Sequence, residues 1–338
     1  MTDRLLDGYD VLLLDLDGTV FRGGELVPGA DGTVDAAHAA GVAVRYTTNN
    51  ASRSQRQVAD HLVSLGLTAQ ADEVRTSAQA GAAVLADRLP SGASVLLVGT
   101  DALADEVVAV GLRPVRRWDD QPADAKPVAV VQGHSPDTGW RDLAEACLAL
   151  RSGALWVACN ADPTLPTERG QLPGNGSMVA ALRAATGLEP VVAGKPARHL
   201  LDQAARSTGA TRPLVVGDRL DTDIAGAANA GMDSLLVLSG VTTAADALAA
   251  PEGQRFGYLA ADLSALLRPE EELRVVAGGG WDVTARDGVL RLAGAGDPLA
   301  ALRSLCAAWW AVGSGPVAVA AESDAAHAAL ADLDLPSA

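Results

Sequence analysis

Two carboxylates close the apolar run Val11-Leu-Leu-Leu14: the chain continues Asp15-Leu16-Asp17, then Gly18 and Thr19. Such a continuous apolar run reads as a strand covered on both faces, as in a parallel sheet. Ligands of open α/β sheets bind just beyond the carboxyl ends of strands. Two acids clustered there repel unless a cation or a proton resolves the charge. The segment is therefore a candidate metal site, acid/base pair or both, with a solvated acidic turn as the plain alternative. A calcium loop of the helix–loop–helix type needs Glu at its twelfth position. Counted from Asp15, that residue is Leu26, which excludes the loop.

A second acidic cluster, Gly217-Asp218-Arg-Leu-Asp221-Thr-Asp223, follows the apolar Leu214-Val-Val. Parallel strands of one sheet would bring it beside Asp15 and Asp17. Carboxylates converging in that way call for a hard divalent cation, and Mg²⁺ suits because it also accepts a phosphate oxygen. Only Lys126 and Lys195 are lysines among the 26 basic residues. Lys195 stands in Gly194-Lys-Pro196, between a strand expected at Val191–Ala193 and a helix starting near Ala197. A helix start favours anions, and lysine serves phosphate as a compact point charge. Thr48, in the polar cluster Thr47-Thr48-Asn49-Asn50, offers a hydroxyl and a backbone N–H to the same anion. Nucleophile, second acid, metal and anion donors together describe phosphoryl transfer.

The elements that must position these groups alternate between strand and helix, as expected for a doubly wound parallel sheet. Phe21–Pro28 reads as a hairpin turning on Gly23-Gly24, followed by a helix at 31–40 and a strand at 42–46. Pro90-Ser-Gly92 marks a boundary, after which strands at 94–99, 128–133 and 155–158 and helices at 101–110 and 138–151 form a second α/β unit. A loop at 160–176 and a helix at 177–186 follow. Strands at 191–193, 214–217 and 235–238 are expected to return to the first unit, which makes the second unit an insertion. A third, smaller α+β unit is expected from strands at 272–277, 282–285, 289–292 and 317–320 with helices at 298–312 and the C-terminus. The expected domains are thus 1–90 with 187–268, the insertion 91–186, and 269–338.

The formal net charge of −16 and pI near 4.6 argue against nucleic acid or an anionic membrane as partner. Neither a signal peptide nor a membrane span is expected. Cys147, Cys159 and Cys306 are widely spaced, as in a reduced cytoplasmic protein.

The four polar segments, in this order, resemble the motifs of haloacid dehalogenase (HAD) superfamily phosphatases. Asp15-x-Asp17-Gly-Thr19 matches the first, Thr48 the second, Lys195 the third, and Gly217-Asp218 with Asp223 the fourth. The resemblance implies a HAD-type Rossmannoid core and the following roles. Asp15 is the nucleophile and Asp17 the proton shuttle; Asp15, the backbone carbonyl of Asp17 and Asp218 bind Mg²⁺; Asp223 supports the metal's waters. Thr48, Asn49 and Lys195 hold phosphate, and Asn49 with Asn50 orients the cap or the phosphate loop. An insertion between the Thr48 and Lys195 motifs looks like the large C2-type cap of the NagD-like, 4-nitrophenylphosphatase-like subfamily. Asn160-Ala-Asp162-Pro and Pro173-Gly-Asn-Gly-Ser177 are similar to that subfamily's signature. Asn160, Asp162 and Arg169 are accordingly candidates for cap residues near the substrate.

With its appended third unit the chain looks most similar to actinobacterial glycerol-3-phosphate phosphatases, whose C-terminal region resembles part of a GCN5-related N-acetyltransferase (GNAT). Arg291-Leu-Ala-Gly294-Ala-Gly296 matches a pyrophosphate loop in spacing, but Asp297 beside it would repel a pyrophosphate. Trp309-Trp310 is expected to pack against the core or a partner subunit. The expected activity is Mg²⁺-dependent hydrolysis of glycerol 3-phosphate, with 2-phosphoglycolate, pyridoxal 5′-phosphate or 4-nitrophenyl phosphate as alternative esters. A phosphomutase and a non-catalytic CoA-binding regulator are the alternatives of another class. The expected partner is a small phosphorylated metabolite, with a homodimer left open and neither nucleic acid nor membrane involved.

Overall fold

A computed structural model describes residues 4–118, 122, 126–167 and 169–338. Contacts divide the chain into two units: residues 1–46, 62–68 and 205–338, and residues 47–61 and 69–204.

In the first unit Val11–Leu14 is fully buried and pairs in parallel with Pro213–Gly217 on one side and Ala43–Thr48 on the other. Asp233–Val237 and Tyr258–Ala260 extend the sheet beyond Pro213–Gly217, again in parallel. The winding reverses at Val11–Leu14, so the crevice of a doubly wound sheet falls between its end and that of Pro213–Gly217. The 21–28 segment forms the expected hairpin, Phe21–Arg22 against Glu25–Leu26.

The C-terminal segment lies in the same unit. Trp281–Arg286 pairs antiparallel with Val289–Gly294, which pairs in parallel with Ala318–Ala321. Leu290, Leu302 and Leu305 share one apolar cluster with Leu236, Leu248 and Leu259 of the preceding sheet and helices. Arg303, 5% exposed on the helix Pro298–Trp310, donates to the Leu259 carbonyl at 2.9 Å. Trp310 packs edge-on against Phe256 and donates to the Leu248 carbonyl, so the tryptophan pair is used on the protein's own core. The strand expected at 272–277 is absent. Glu270–Glu272 is a 3₁₀ turn, and Arg274 makes only an isolated bridge to Tyr258.

The glycine loop that matches a pyrophosphate cradle is filled by the chain itself. Side-chain-free Gly280 and Gly296 let Gly279-Gly280 lie backbone to backbone against Gly294–Gly296, and a Cβ at either would fall within 2.3 Å of a carbonyl oxygen. Asp297 caps the following helix by accepting from Ala300 N–H at 3.0 Å. Its carboxylate thus holds the place a bound anion would take.

The second unit is a five-stranded parallel sheet in the order Val191–Val192, Leu155–Ala158, Ala129–Gln132, Ser94–Val98, Arg113–Val115. Successive side chains point to opposite faces, and both faces are covered. Val95, Leu97, Val131 and Val157 meet one cluster with the helix Ser77–Ala86; Leu96, Val130 and Trp156 meet another with Trp140–Arg151 and Asn175–Thr186. Val191–Val192, expected to return to the first sheet, pairs instead with Leu155–Ala158. Two residues carry too little pattern to choose a partner, and non-local pairing decides it. Within the loop expected at 160–176, Thr164–Thr167 and Gly170–Pro173 form a hairpin.

Candidate active site

Asp15 continues the ladder of its strand, its N–H bonded to the Val216 carbonyl at 2.9 Å. That register sets it at the strand end from which Gly217 and Asp218 emerge. A π-helical turn, Leu220–Ile224, then brings Asp223 back, and its carboxylate accepts from Arg219 N–H at 3.1 Å. Asp15, Asp218 and Asp223 each present an oxygen within 4.8 Å of the others, the last two fully buried. Asp17 is exposed, and its carboxylate lies outside this group.

Room for the acids comes from glycines. A Cβ at Gly217 would lie 2.3 Å from Asp223, one at Gly18 2.5 Å from Asp218, and one at Gly240 2.0 Å from Asp218 Oδ2. Asp218 Oδ2 accepts from Val241 N–H at 2.7 Å, while Ser239 Oγ donates to the Gly18 carbonyl. Ser239, Gly240 and Val241 escaped the sequence reading because none carries chemistry of its own. The available signal was their position, just after the strand Asp233–Val237 of the same sheet.

Three ionised carboxylates with oxygens within 4.8 Å of one another repel by at least about 3 kcal/mol per pair at an effective dielectric near 20. Oxygens bound to one Mg²⁺ at about 2.1 Å stand at most about 4.2 Å apart. The donor set therefore needs to contract by only a few tenths of an ångström to take such an ion, and its all-oxygen chemistry fits a hard cation.

The second unit carries the other expected residues. Lys195 is 2% exposed and donates from Nζ to the Thr47 carbonyl at 3.2 Å. Lys126, the other lysine, lies over the Trp118 ring and donates to the Trp118 carbonyl. Thr48 is buried, and its Oγ1 accepts from Asn50 N–H at 3.1 Å. The Asn49 side chain is turned to the backbone of Lys195. Its Oδ1 accepts from Lys195 N–H at 2.8 Å, and its Nδ2 donates to the Lys195 carbonyl at 2.9 Å and to the Asp162 carboxylate. Both ends of the amide are thus committed to holding Lys195. Gly194 permits the approach, since a Cβ there would lie 2.6 Å from Asn49 Oδ1.

Asn160 and Asp162 belong to the same cluster: Asn160 Nδ2 donates to the Asn49 carbonyl at 2.7 Å, and its Oδ1 accepts from Asp162 N–H. Arg169 is not among them; it lies exposed at the turn of the 164–173 hairpin. A cavity of about 420 Å³ lined by Tyr9, Arg212, Asp233, Tyr258, Glu270 and Arg274 opens at the amino ends of the first unit's strands, the edge opposite the acids. It plays no part in this chemistry.

The haloacid dehalogenase-like hydrolase model matches residues 12–113, a HAD-hydrolase-like model residues 192–266, and a GCN5-related N-acetyltransferase-like domain model residues 278–335. The D-glycerol 3-phosphate phosphatase of Mycobacterium tuberculosis is 49% identical over 336 residues, 95% of this chain and 93% of that protein. A 5′-nucleotidase of Bacillus subtilis is 39% identical over 69% of this chain and 89% of its own. The crystal structure of glycerol phosphate phosphatase from M. tuberculosis in complex with magnesium matches with a TM-score of 0.94 at 49% identity, covering 99% of this chain and 100% of that one. A thermostable NPPase double mutant from Geobacillus stearothermophilus matches with a TM-score of 0.68 at 32% identity, covering 76% and 97%. With strand ends, acidic clusters and relatives in agreement, the chain belongs to the haloacid dehalogenase-like hydrolases.

Proposed function

We propose that this protein is a Mg²⁺-dependent phosphatase of small phosphate monoesters, with glycerol 3-phosphate as substrate. The observation that carries the reaction class is the convergence of Asp15, Asp218 and Asp223 at adjoining strand ends, with Asp17 exposed beside them. The substrate rests on the 49% identical phosphatase, which matches this chain through its C-terminal segment.

In this reading Asp15 attacks phosphorus, forming an aspartyl-phosphate as the ester P–O bond breaks. Asp17 gives its proton to the leaving alkoxide. The same carboxylate then takes a proton from the water that attacks the aspartyl-phosphate, releasing inorganic phosphate and restoring Asp15. Asp15, the Asp17 carbonyl and Asp218, backed by Asp223, would hold Mg²⁺, which when bound neutralises the carboxylates and the phosphate oxygens. Lys195 and Thr48 supply the remaining donors for the phosphate.

The test is release of inorganic phosphate from a panel of esters, with Mg²⁺ and with a chelator in its place. Glycerol 3-phosphate should exceed 2-phosphoglycolate, pyridoxal 5′-phosphate, a nucleoside monophosphate and 4-nitrophenyl phosphate in kcat/KM. A glycerol 3-phosphate value no better than that of 4-nitrophenyl phosphate overturns the substrate. Isomerised sugar phosphate in place of free phosphate overturns the reaction class.

A further inference from the structure

Asn49 is gripped from two sides. Its side-chain amide pairs with both backbone groups of Lys195, at 2.8 and 2.9 Å. Its own carbonyl accepts two further hydrogen bonds, from Ser77 Oγ at 2.6 Å and from Asn160 Nδ2 at 2.7 Å. Ser77 is fully buried and Asn160 is 5% exposed. Ser77 opens the helix Ser77–Ala86, whose N-cap Thr76 accepts from Gln79 N–H, so its hydroxyl sits on a fixed element. Asn160 is held in turn by the strand-to-helix junction behind it. Asn175 Nδ2, 2% exposed at the start of Asn175–Thr186, donates to the Asn160 carbonyl at 2.7 Å.

From this geometry we propose that Ser77 and Asn160 are positioning residues for Lys195, acting through Asn49. The proposal deepens the phosphatase reading and rests on its assignment of Lys195 to phosphate. The Lys195 stem is already buried and its Nζ already held by the Thr47 carbonyl, so where the ammonium stands is set by the backbone from which the stem departs. A binding group must be held to within about 0.5 Å of its productive place, and two donors on one carbonyl fix that backbone better than one. Asn160 then contributes to phosphate affinity by holding the lysine loop, without touching substrate.

The experiment is a double-mutant cycle. Isothermal titration of inorganic phosphate in the presence of Mg²⁺ is carried out on the full chain and on Ser77→Ala, Lys195→Ala and the double variant. The expected result is a three- to tenfold weaker Kd in Ser77→Ala, about the loss of one hydrogen bond, and no further weakening when Lys195 is already alanine. Asn160→Ala, alone and with Lys195→Ala, should repeat the pattern. Ser77→Ala removes a single oxygen, so it keeps the test open where Asn160→Ala fails to fold. Equal weakening in both backgrounds indicates general loosening of the unit and overturns the positioning role, as does a wild-type Kd in Ser77→Ala. Wild-type phosphate affinity in Lys195→Ala overturns the phosphate assignment itself, and the positioning role with it.

Discussion

Gly240→Ala probes the acidic centre without replacing any of its carboxylates. The backbone at Gly240 carries no left-handed strain, so the substitution acts through space alone: the new Cβ would sit 2.0 Å from Asp218 Oδ2 and 2.4 Å from its Cγ. Ordinary contact begins at 3.4 Å, so the carboxylate and the loop must part by about 1.4 Å. Asp218 Oδ2 is held at 2.7 Å by Val241 N–H on that same loop, and it cannot retreat without losing the bond. Once a metal is bound, its ligand distances hold to within about 0.2 Å, so a displacement of about 1.4 Å cannot be absorbed. Disturbing a group that holds a ligand costs roughly 10–100-fold in metal affinity, and crowding a packed site costs about 1–3 kcal/mol of stability. The variant should therefore need 10–100-fold more Mg²⁺ for half-maximal hydrolysis. Its melting temperature should rise less on adding Mg²⁺ than that of the unaltered protein. Gly253→Ala, where a Cβ meets nothing within 4 Å, is the control and should behave as wild type. A Gly240→Ala protein with unaltered Mg²⁺ dependence refutes the claim that Asp218 is a ligand held in place by this loop.

Further expectations concern separate parts of the molecule. Asp15→Asn should abolish hydrolysis, with residual activity above about a hundredth contradicting nucleophilic catalysis. The same variant should melt higher than wild type without metal, because it removes one of three mutually repelling carboxylates. Burial pushes the Cys159 thiol up to about 12 and also raises that of Cys306, whereas Cys147 is half-buried. Titration of the native protein with a thiol reagent at pH 8 should thus modify Cys147 alone, with all three reacting after denaturation. The Glu270 carboxyl is held below its usual range, first by the Tyr258 hydroxyl and then by Arg274. A depressed pKa stabilises the fold above the unfolded value of about 4.3 and ceases to do so as pH falls through the folded one. Glu270→Gln should therefore reduce the loss of stability on acidification below about pH 4, by under about 1 kcal/mol for so exposed a pair. An unchanged acid limb in chemical denaturation would count against the contact.

The acid-bearing strands were legible in the sequence because each is a continuous apolar run that ends abruptly in polar residues: Val11–Leu14 before Asp15, and Pro213–Gly217 before Asp218. What could not be read was anything decided by pairing across distance. Val191–Val192 has no pattern that chooses between two parallel sheets, and its place in the second follows from Leu155–Ala158 alone. The alternation in Leu273-Arg-Val-Val276 resembles a strand, yet acidic Glu270–Glu272 begins a turn there and Val276 is left 47% exposed. The Asp15, Asp218 and Asp223 cluster was foreseeable from residue type, although Asp223 joins it more closely than a purely supporting role suggests. For Asn49 the sequence offers phosphate binding or the orienting of the cap or phosphate loop. The direction of its side-chain hydrogen bonds, towards the Lys195 backbone, depends on a loop closure that no local spacing encodes.

The apolar cluster joining Leu236, Leu248 and Leu259 to Leu290, Leu302 and Leu305 means that the C-terminal segment is not an appendage that can be trimmed away. A chain cut near residue 268 would present that cluster's open side to water, together with the Leu259 carbonyl that Arg303 now satisfies. The hydrolase sheet and its N-acetyltransferase-like companion are therefore expected to fold as one object. Loss of the second would leave the first with an exposed apolar face, so the C-terminal segment has a structural reason to be kept that is independent of any ligand.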